Sequence, residues 1–408
     1  MNKFLNKGNP SDCCGCSACV QKCPMQCLSI VPDKDGFLFP QLVKDSCINC
    51  GLCTMVCPLE NEMEPLDNPK FYGAYSQNFF DITNSSSGGI YPSLARWVIS
   101  QRGIVYGAML DTNHDLYHIG VTENDEVKKT LGSKYFQSEI KETYKECKAN
   151  LESGRVVLFT GTPCQIHGLK CFLHKDYEHL YTADVICHGV PSKKMFDAYV
   201  AFLEKRHNAK FVDINFRDKK RGWSNTSVRY TMEDATRKRK DFNLLGRLSE
   251  YYTAFIGGSI ARESCYKCPY SSLIRTGDIT MGDFWGYQAK RPDLRHEDGL
   301  SLVLCNTDKG RIIVDALSRM GIVFKEVDEE CIRASENKNL FYPTRRPELR
   351  DKVYKELEDY GFEYIAANYY RRTHTLRNKL KNIIPAKIVK LIQRISYTRN
   401  IIIKQRGQ

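Results

Sequence analysis

Two stretches near the amino terminus share one spacing of cysteines: residues 13–24 read CCGCSACVQKCP and residues 47–58 read CINCGLCTMVCP. The two runs are 34 residues apart. At this spacing, three thiolates of a run bind one [4Fe-4S] cubane, and the fourth, before proline, binds the other cluster. Each cluster therefore takes ligands from both runs. The pattern predicts one cluster on Cys13, Cys16, Cys19 and Cys57, and a second cluster on Cys47, Cys50, Cys53 and Cys23.

Zinc is the alternative for this module, but zinc sites usually use pairs of cysteines separated by a longer loop. Triplets with a distal Cys-Pro favour the cubane. The module resembles bacterial two-cluster ferredoxins, since eight cysteines and two prolines coincide with that pattern. Cys14 and Cys27 fall outside it and are interpreted as packed thiols.

Length and composition indicate a folded protein of two or three domains. The chain has 408 residues, of which 42% are apolar and 26% charged, which excludes a small disulfide scaffold and wholesale disorder. No apolar run approaches the roughly 18 to 20 residues of a membrane span, and the first residues lack a signal-peptide core. A cytosolic location is therefore predicted. In that reducing compartment, those of the 18 cysteines that are clustered are better interpreted as metal ligands or redox groups than as disulfides.

The net charge of +12 is concentrated at the carboxyl end. The last acidic residue is Glu363, and the 45 residues after it carry 11 Lys and Arg. Beyond Pro385, which suits a first helical turn, the spacing predicts an amphipathic helix. Its apolar stripe is Ile388, Leu391, Ile392 and Ile395, and its basic residues are Lys387, Lys390 and Arg394. A basic amphipathic helix at the carboxyl end indicates either contact with an anionic membrane surface at the inner face or docking on its own domain. No nucleic-acid module accompanies the charge, so nucleic-acid binding is not predicted.

Strand-like and helix-like stretches alternate after residue 66, which indicates a mixed α/β fold. Strands are expected at 71–76, 103–110, 117–122, 156–159, 183–186, 279–281 and 300–304. Helices are expected at 91–101, 165–173, 192–206 and 309–320, and a hairpin is expected within 216–240. The predicted domains are 1–65 (two-cluster ferredoxin-like), 66–150 and 151–350 (α/β flavin-binding region) and 351–408 (basic helical tail).

Four further motifs carry unusual local chemistry. They are Ser85-Ser86-Ser87-Gly88-Gly89, Gly161-Thr162-Pro163-Cys164-Gln165, Ile186-Cys187-His188-Gly189, and Cys265-x2-Cys268 ahead of Gly277 to Gly286. With Gly132-Ser133-Lys134-Tyr135, Ser138, Phe216 to Lys219 and Gly222-Trp223, they resemble the beta-subunit family of coenzyme F420 hydrogenases and dehydrogenases over about residues 12–290.

The resemblance implies a flavoprotein, with FAD as the expected flavin, that passes electrons between iron-sulfur clusters and an organic hydride acceptor or donor. A plant reductase acting on hydroxymethyl chlorophyll belongs to the same family, so membership does not fix the substrate. Similar fused proteins look like bacterial accessory oxidoreductases, some tied to cell-surface polysaccharide synthesis. The fused two-cluster module and the basic tail depart from the archetype and put a simple hydrogenase-subunit role in doubt.

Glycines and hydroxyls ahead of a helix expose backbone N–H groups to an anion. Residues Ser86, Ser87, Gly88 and Gly89 are therefore candidates for a flavin phosphate, with Ser133 and Lys134 beside them; the alternative is an ordinary turn and a solvated lysine. Four thiols, Cys164, Cys187, Cys265 and Cys268, arrive from three places and suggest a third cubane, with zinc or unliganded thiols as alternatives. Cys147, Cys171, Cys305 and Cys331 are interpreted as packing residues.

No catalytic acid or base can be named. His167 and His188 are interpreted mainly as structural, and Asp278 as a turn or cap residue. Asp283 is a candidate for contact with substrate or flavin, and Trp223 and Trp285 for ring stacking, with core packing as the alternative. No hydrolytic constellation and no G-x-G-x-x-G occur.

Together with the resemblance, these features predict an oxidoreductase that transfers electrons, in either direction, between a one-electron donor such as ferredoxin and an organic hydride acceptor or donor. Two alternative functions stay open: an electron carrier without a substrate site, and a membrane-associated adaptor with structural clusters. The organic substrate is not specified by the sequence.

Overall fold

The computed structural model describes residues 10–63, 68–294, 296–389 and 391. The amino-terminal module contains helices α1 and α2 and one antiparallel hairpin. Their bounds are α1 Ala18–Lys22, β1 Leu28–Pro32, β2 Leu38–Leu42 and α2 Leu52–Met55. The two short helices begin 34 residues apart, each after a residue in the left-handed region, Ser17 (φ 64°) and Gly51 (φ 76°). The repeat in the cysteine spacing is therefore a repeat of local structure.

One mixed sheet of eight strands forms the body. Its order is β13-β3-β12-β11-β7-β6-β4-β5, and β4, β6, β7 and β11 are mutually parallel along the middle of the sheet. The strands are β3 Lys70–Ser76, β4 Ile104–Leu110, β5 Leu116–Val121, β6 Val157–Gly161, β7 Leu180–Val185, β11 Ile279–Asp283, β12 Ser301–Cys305 and β13 Ile322–Val327. Residues 66–150 and 151–350, predicted as separate regions, both contribute strands to this sheet.

A second sheet is antiparallel, in the order β10-β9-β8. Its strands are β8 Lys210–Asp218, β9 Ser227–Glu233 and β10 Arg239–Leu245. The predicted hairpin at 216–240 thus misses the first strand of a three-stranded unit. The other predicted strands and helices agree with the structure to within three residues at each end. The mixed α/β class and the small ferredoxin-like domain are confirmed.

Helices pack on both sheets. Their bounds are α3 Phe79–Thr83, α4 Ile90–Ser100, α5 Thr143–Glu152, α6 Pro163–Leu173, α7 Lys193–His207, α8 Glu250–Ile256, α9 Asp308–Arg319, α10 Glu329–Ala334, α11 Leu349–Ile365 and α12 Leu376–Ile383. Helix α11 buries Val353, Tyr354 and Phe362 in an aromatic core shared with α7, α8 and the small sheet. The segment from 351 to 365 is therefore part of the folded body, and the exposed part of the predicted tail starts later.

The amino-terminal module is docked on the body by a buried arginine. Arg262, 1% exposed, donates from Nε to the Cys13 carbonyl (2.7 Å) and from Nη2 to the Leu38 carbonyl (2.9 Å). Its Nη1 donates to Gln137 Oε1 (2.9 Å), and Gln137 Nε2 donates to the Cys14 carbonyl (3.1 Å). Three hydrogen bonds thus satisfy a charge that would be costly to bury alone.

Close packing adds to this interface. A Cβ on Gly168 in α6 would lie 2.9 Å from Cys16 Cβ, so only glycine lets α6 approach the first cysteine run this closely. Gln21 Oε1 accepts the backbone N–H groups of Tyr144 (3.1 Å) and Lys145 (3.3 Å). These contacts place the first cysteine run against the body.

Among the helices that the structure describes, none has both the length and the apolar composition needed to cross a bilayer. Pro385 starts a helical turn, as expected, because its carbonyl accepts from the N–H groups of Ile388 (2.9 Å) and Val389 (3.1 Å). Ile392, Ile395, Lys390 and Arg394 lie outside the described residues.

Candidate functional site

The first predicted cysteine set is brought together in the docked module. Cys13, Cys16, Cys19 and Cys57 are all buried. Burial raises the pKa of the Cys19 thiol, and the neighbouring thiols of Cys13 and Cys57 raise it further. Thiolate ligands of a cluster must lose their protons, and such close, buried thiols fit a bound cation that favours deprotonation.

The second set encloses a small cavity of about 20 Å³. Its lining contains all four predicted members, Cys23, Cys47, Cys50 and Cys53. Cys27 also lines the cavity, and its Sγ lies 3.3 Å from Cys23 Sγ. The interpretation of Cys27 as a packed thiol did not anticipate this position beside a predicted ligand.

The described residues contain no group of three or more His, Cys, Asp and Glu side chains arranged around one metal ion. The four thiolates of a cubane bind four separate irons, so they are spread more widely than the ligands of a single zinc ion.

A cavity of about 900 Å³ lies at the carboxyl edge of β6, β7 and β11. Ligand sites in α/β proteins occur at this edge of parallel strands, and the volume suits a dinucleotide-sized ligand. Its wall includes thiols and the Ser/Gly loop before α4. The predicted site residues on its wall are Ser86, Ser87, Gly89, Ser133, Lys134, Cys164, Cys187, Cys265 and Cys268.

The third cysteine set comes from three segments of the chain. Cys164 lies in the first turn of α6, Cys187 follows β7, and Cys265 lies in the 3-10 turn Glu263–Lys267 just before Cys268. Burial raises the pKa of Cys265, and the neighbouring thiols of Cys187, Cys268 and Cys164 raise it further. The four thiols therefore form one group, although they are up to 104 residues apart in sequence.

Cys14 lies between two of the cysteine sets. Its thiol is within hydrogen-bonding reach of the thiols of Cys16 and Cys164, and the contact with Cys16 raises its pKa. It also lines the large cavity. The residue interpreted as a packed thiol thus occupies the junction between the amino-terminal module and the cavity, a position that the ligand spacing does not reveal.

The Ser/Gly loop and Ser133-Lys134 give the cavity wall a polar part. Ser86 Oγ accepts from the backbone N–H and from the hydroxyl of Ser133, both at 3.0 Å. Gly89 (φ 84°) is the N-cap of α4. Lys134 is half-buried, and desolvation lowers its pKa to about 7; its Nζ donates to the Leu131 carbonyl (2.8 Å). An anion here would restore the charge of this lysine, because an opposite charge favours the protonated form.

Gly88 does not behave as predicted. It is absent from the cavity wall, and its N–H donates to Ser301 Oγ (2.9 Å), so it is not free for a phosphate. A Cβ at this position would lie 2.4 Å from the Ala74 carbonyl oxygen. Gly88 is therefore required by close approach to β3, which a Ser/Gly motif alone cannot reveal.

The acidic candidates are engaged in structural contacts. Asp278 Oδ2 accepts from the backbone N–H and hydroxyl of Thr182 in β7, both at 2.7 Å, which is a contact between neighbouring strands and not the predicted turn or cap. Asp283 lines the cavity, where it forms an ion pair with Arg217 and accepts from Trp223 Nε1 (2.6 Å); its contact with substrate or flavin stays a prediction. Trp223 stacks on Trp285 with ring centroids 4.4 Å apart. This arrangement agrees with the packing alternative for Trp223, whereas Trp285 also reaches the cavity wall.

The two histidines named from sequence also have structural partners. His167 Nδ1 lies 3.0 Å from the Tyr270 hydroxyl. His188 contacts the Asn339 side chain and the Ile256 carbonyl, each at 3.0 Å. His118, which sequence reasoning missed, is buried on the cavity wall, and its Nε2 donates to the Thr160 carbonyl (3.0 Å). Burial lowers the pKa of His118 to about 4, so it is neutral near pH 7.

This burial makes a pH prediction. Because the folded-state pKa lies below the unfolded value of about 6.5, the unfolded chain takes up a proton first as the pH falls. The contribution of His118 to stability is complete above about pH 6.5 and is lost toward pH 4. In the unaltered chain, His118 is expected to lower the free energy of unfolding by about 2 kcal/mol between pH 6.5 and pH 5, and His118→Gln should remove this part of the pH dependence. Denaturant unfolding at the two pH values is the measurement.

The matched control is His179→Gln, which changes an exposed histidine. It should leave the pH dependence as it is in the unaltered chain. An unchanged pH dependence in His118→Gln would show that His118 titrates freely in the folded protein.

Comparisons with known proteins match two parts of the chain. Residues 154–330 match the family described as the C terminus of the coenzyme F420 hydrogenase/dehydrogenase beta subunit, and residues 12–61 match a 4Fe-4S dicluster domain. A ferredoxin from Saccharopolyspora erythraea is 32% identical over 74 residues, which are 17% of this chain and 65% of the ferredoxin.

The coenzyme F420-dependent sulfite reductase of Methanocaldococcus jannaschii is 27% identical over 199 residues, 47% of this chain and 30% of the reductase. The chain thus spans less than two thirds of the length of these curated relatives. A chain of the F420-reducing [NiFe] hydrogenase complex from Methanosarcina barkeri is 17% identical, with a TM-score of 0.43, covering 74% of this chain and 95% of that chain.

The cysteine pattern, the docked module and the family matches lead to one assignment: the chain joins an amino-terminal 4Fe-4S dicluster domain to a carboxyl-terminal domain of the coenzyme F420 hydrogenase/dehydrogenase beta-subunit family.

Proposed function

We propose that this protein is an iron-sulfur flavoprotein oxidoreductase, which transfers electrons between a one-electron donor such as ferredoxin and an organic hydride acceptor or donor. The observation that carries the proposal is the cavity of about 900 Å³, whose wall includes four thiols, a polar Ser/Gly loop and the half-buried Lys134. The dicluster domain docks beside this cavity, since the Cys14 thiol is within hydrogen-bonding reach of the Cys164 thiol. Redox sites on both domains would thus be neighbours.

The proposed cluster ligands follow the three cysteine groups. The two amino-terminal clusters are held by Cys13, Cys16, Cys19 and Cys57, and by Cys47, Cys50, Cys53 and Cys23. Cys164, Cys187, Cys265 and Cys268 hold a third cluster. The support for this third set is that burial and mutual proximity raise the thiol pKa values of Cys265 and Cys187, so a cation is needed to make them thiolates.

The proposed FAD site is the polar part of the cavity wall formed by Ser86, Ser87, Gly89, Ser133 and Lys134. The half-buried Lys134 would supply a cation for a phosphate or for the pyrimidine ring. Gly88 stays outside the site because of its contacts with β3 and Ser301. The loop stands ahead of the 11-residue helix α4, whose N-terminus adds positive potential.

When bound, iron-sulfur clusters carry single electrons, whereas a flavin exchanges two electrons and a proton. The chain's own residues would hold these groups on the wall of one cavity. The deazaflavin coenzyme F420 is the proposed substrate class, since the sulfite reductase that matches 47% of this chain is named for it. A link to cell-surface polysaccharide synthesis stays a prediction.

The test is a count of iron, sulfide and flavin in anaerobically purified protein. About twelve irons and one flavin per chain are expected. The double variant Cys187→Ser, Cys265→Ser should lose about four irons and keep the amino-terminal clusters, whereas Cys331→Ser, which changes a buried cysteine elsewhere, should lose none. Lys134→Met should lower flavin content and leave iron unchanged.

About eight irons in the unaltered protein, with the same count in the double variant, would contradict the third cluster. Absence of flavin after reconstitution would contradict the flavoprotein assignment and support the electron-carrier alternative. Absorption spectra before and after dithionite give an independent readout of the same groups.

A further inference from the structure

The exposed carboxyl-terminal helix α12 is attached to the body by its polar face. Asn382 Oδ1 accepts the backbone N–H of Leu245 (2.9 Å), and Asn378 Nδ2 donates to the Thr373 carbonyl (2.7 Å). Asn378 and Asn382 are four residues apart and therefore lie on one side of the helix. This side is the half-buried one.

A buried arginine holds the end of the same helix. Arg221, 9% exposed, donates from Nη1 to the Ile384 carbonyl (3.0 Å) and from Nη2 to the Asn382 carbonyl. The last carbonyls of a helix lack partners within it, and this guanidinium supplies them. The orientation of α12 on the body is thus fixed by specific polar contacts.

The opposite side of α12 is apolar and faces away from the body. Leu376, Leu380 and Ile383 follow the i, i+4, i+7 spacing of one helical face and are 73%, 55% and 76% exposed. Ile388 and Leu391, beyond the helix, are also exposed. An amphipathic helix normally buries its apolar side, so this inverted docking leaves an apolar row that the described residues do not cover.

Cations flank that row. Arg377 and Lys379 lie on the two sides of the row, and Lys381 and Lys387 are also exposed. The chain has no acidic residue after Glu363. Two copies of this face placed together would bring like charges into contact. An anionic lipid surface instead offers an apolar interior for the row and negative headgroups for the cations.

We propose that the apolar row Leu376, Leu380 and Ile383, flanked by cations, binds the surface of an anionic bilayer, so that α12 lies in the interface and the body stays in the aqueous phase. The polar contacts of Asn378, Asn382 and Arg221 present this row outward. The proposal is independent of the redox function, because it uses none of the cavity residues.

The test is co-sedimentation of the full-length chain with vesicles of phosphatidylcholine alone and of phosphatidylcholine with phosphatidylglycerol. Binding to the anionic vesicles is expected to be at least about tenfold stronger, and to weaken with added salt. The double variant Leu380→Asn, Ile383→Asn should lose most of this binding. The control Ile312→Asn changes an equally exposed apolar residue on α9 and should bind as the unaltered protein does.

Unchanged cofactor content and circular dichroism in the double variant establish that loss of binding is local. The proposal is overturned if the unaltered chain ignores anionic vesicles, or if the double variant binds them equally well. It is also overturned if size exclusion shows a dimer that the double variant abolishes, since the row would then be a contact between copies.

Discussion

Replacing Cys50 with alanine is expected to remove about four irons per chain and to unfold the dicluster domain. Cys50 is the exposed member of the set that lines the small cavity with Cys23, Cys47 and Cys53. A segment of about 50 residues buries too little apolar surface to stand alone, and metal binding contributes directly to its folding. Iron analysis and amide hydrogen exchange of residues 10–63 measure the two effects.

The matched control is Cys305→Ala, which makes the same chemical change at a buried position on β12. It should keep all iron and cost on the order of 1 kcal/mol of stability, because only a small cavity is created. An iron content and exchange pattern in Cys50→Ala equal to those of the unaltered chain would refute the assignment of Cys50 as a ligand.

Arg262→Gln is expected to release the dicluster domain from the body. The variant loses two hydrogen bonds from an ionised donor to the carbonyls of Cys13 and Leu38, and it leaves Gln137 without that partner. Hydrogen bonds to charged groups contribute roughly 1.5–3 kcal/mol each, so the docking should weaken by about 3 kcal/mol or more. Faster exchange of amides on both sides of this interface is the measurement.

Arg346→Gln is the control, since Arg346 makes a partly exposed ion pair with Glu263, only one residue from Arg262. Exposed ion pairs contribute at most about 1 kcal/mol, and the interface should stay protected. Equal exchange in Arg262→Gln and in the unaltered chain would show that packing at Gly168 is sufficient for docking.

The cysteine spacing predicts the dicluster domain well because each run carries its own local geometry. The left-handed residues Ser17 and Gly51 and the helices that follow them repeat at the same 34-residue interval as the thiols. Alternation of apolar stretches likewise predicts the central strands, which are buried on both faces. These features depend on neighbours in sequence, and a single sequence contains that information.

Other parts of the site depend on contacts between distant segments. Arg262 contacts a carbonyl 249 residues away, and Cys14 lies between thiols of two domains. Gly88 fits the pattern of a phosphate-binding glycine, yet its role is set by the strand against which it packs. Lys134 and His118 become unusual only through burial, which no local pattern reveals.

In the carboxyl-terminal tail, too, the amphipathic pattern does not predict contacts with distant segments. Hydrophobic periodicity predicts a helix with an apolar side, but which side meets the body depends on partners elsewhere. Here the Leu245 N–H donates to the Asn382 side chain, and Arg221 donates to main-chain carbonyls at the end of α12. Periodicity alone favours the reverse arrangement.

Arg262 recognises the dicluster domain through main-chain oxygens, at Cys13 and Leu38. A carbonyl is the same whichever amino acid bears it, so this contact places no demand on the side chain of Leu38, whereas Cys13 is constrained separately as a proposed cluster ligand. On the body side the contact needs one guanidinium with its fixed fork of donors. Substitution at Leu38 can therefore leave these hydrogen bonds intact, whereas any substitution of Arg262 removes them.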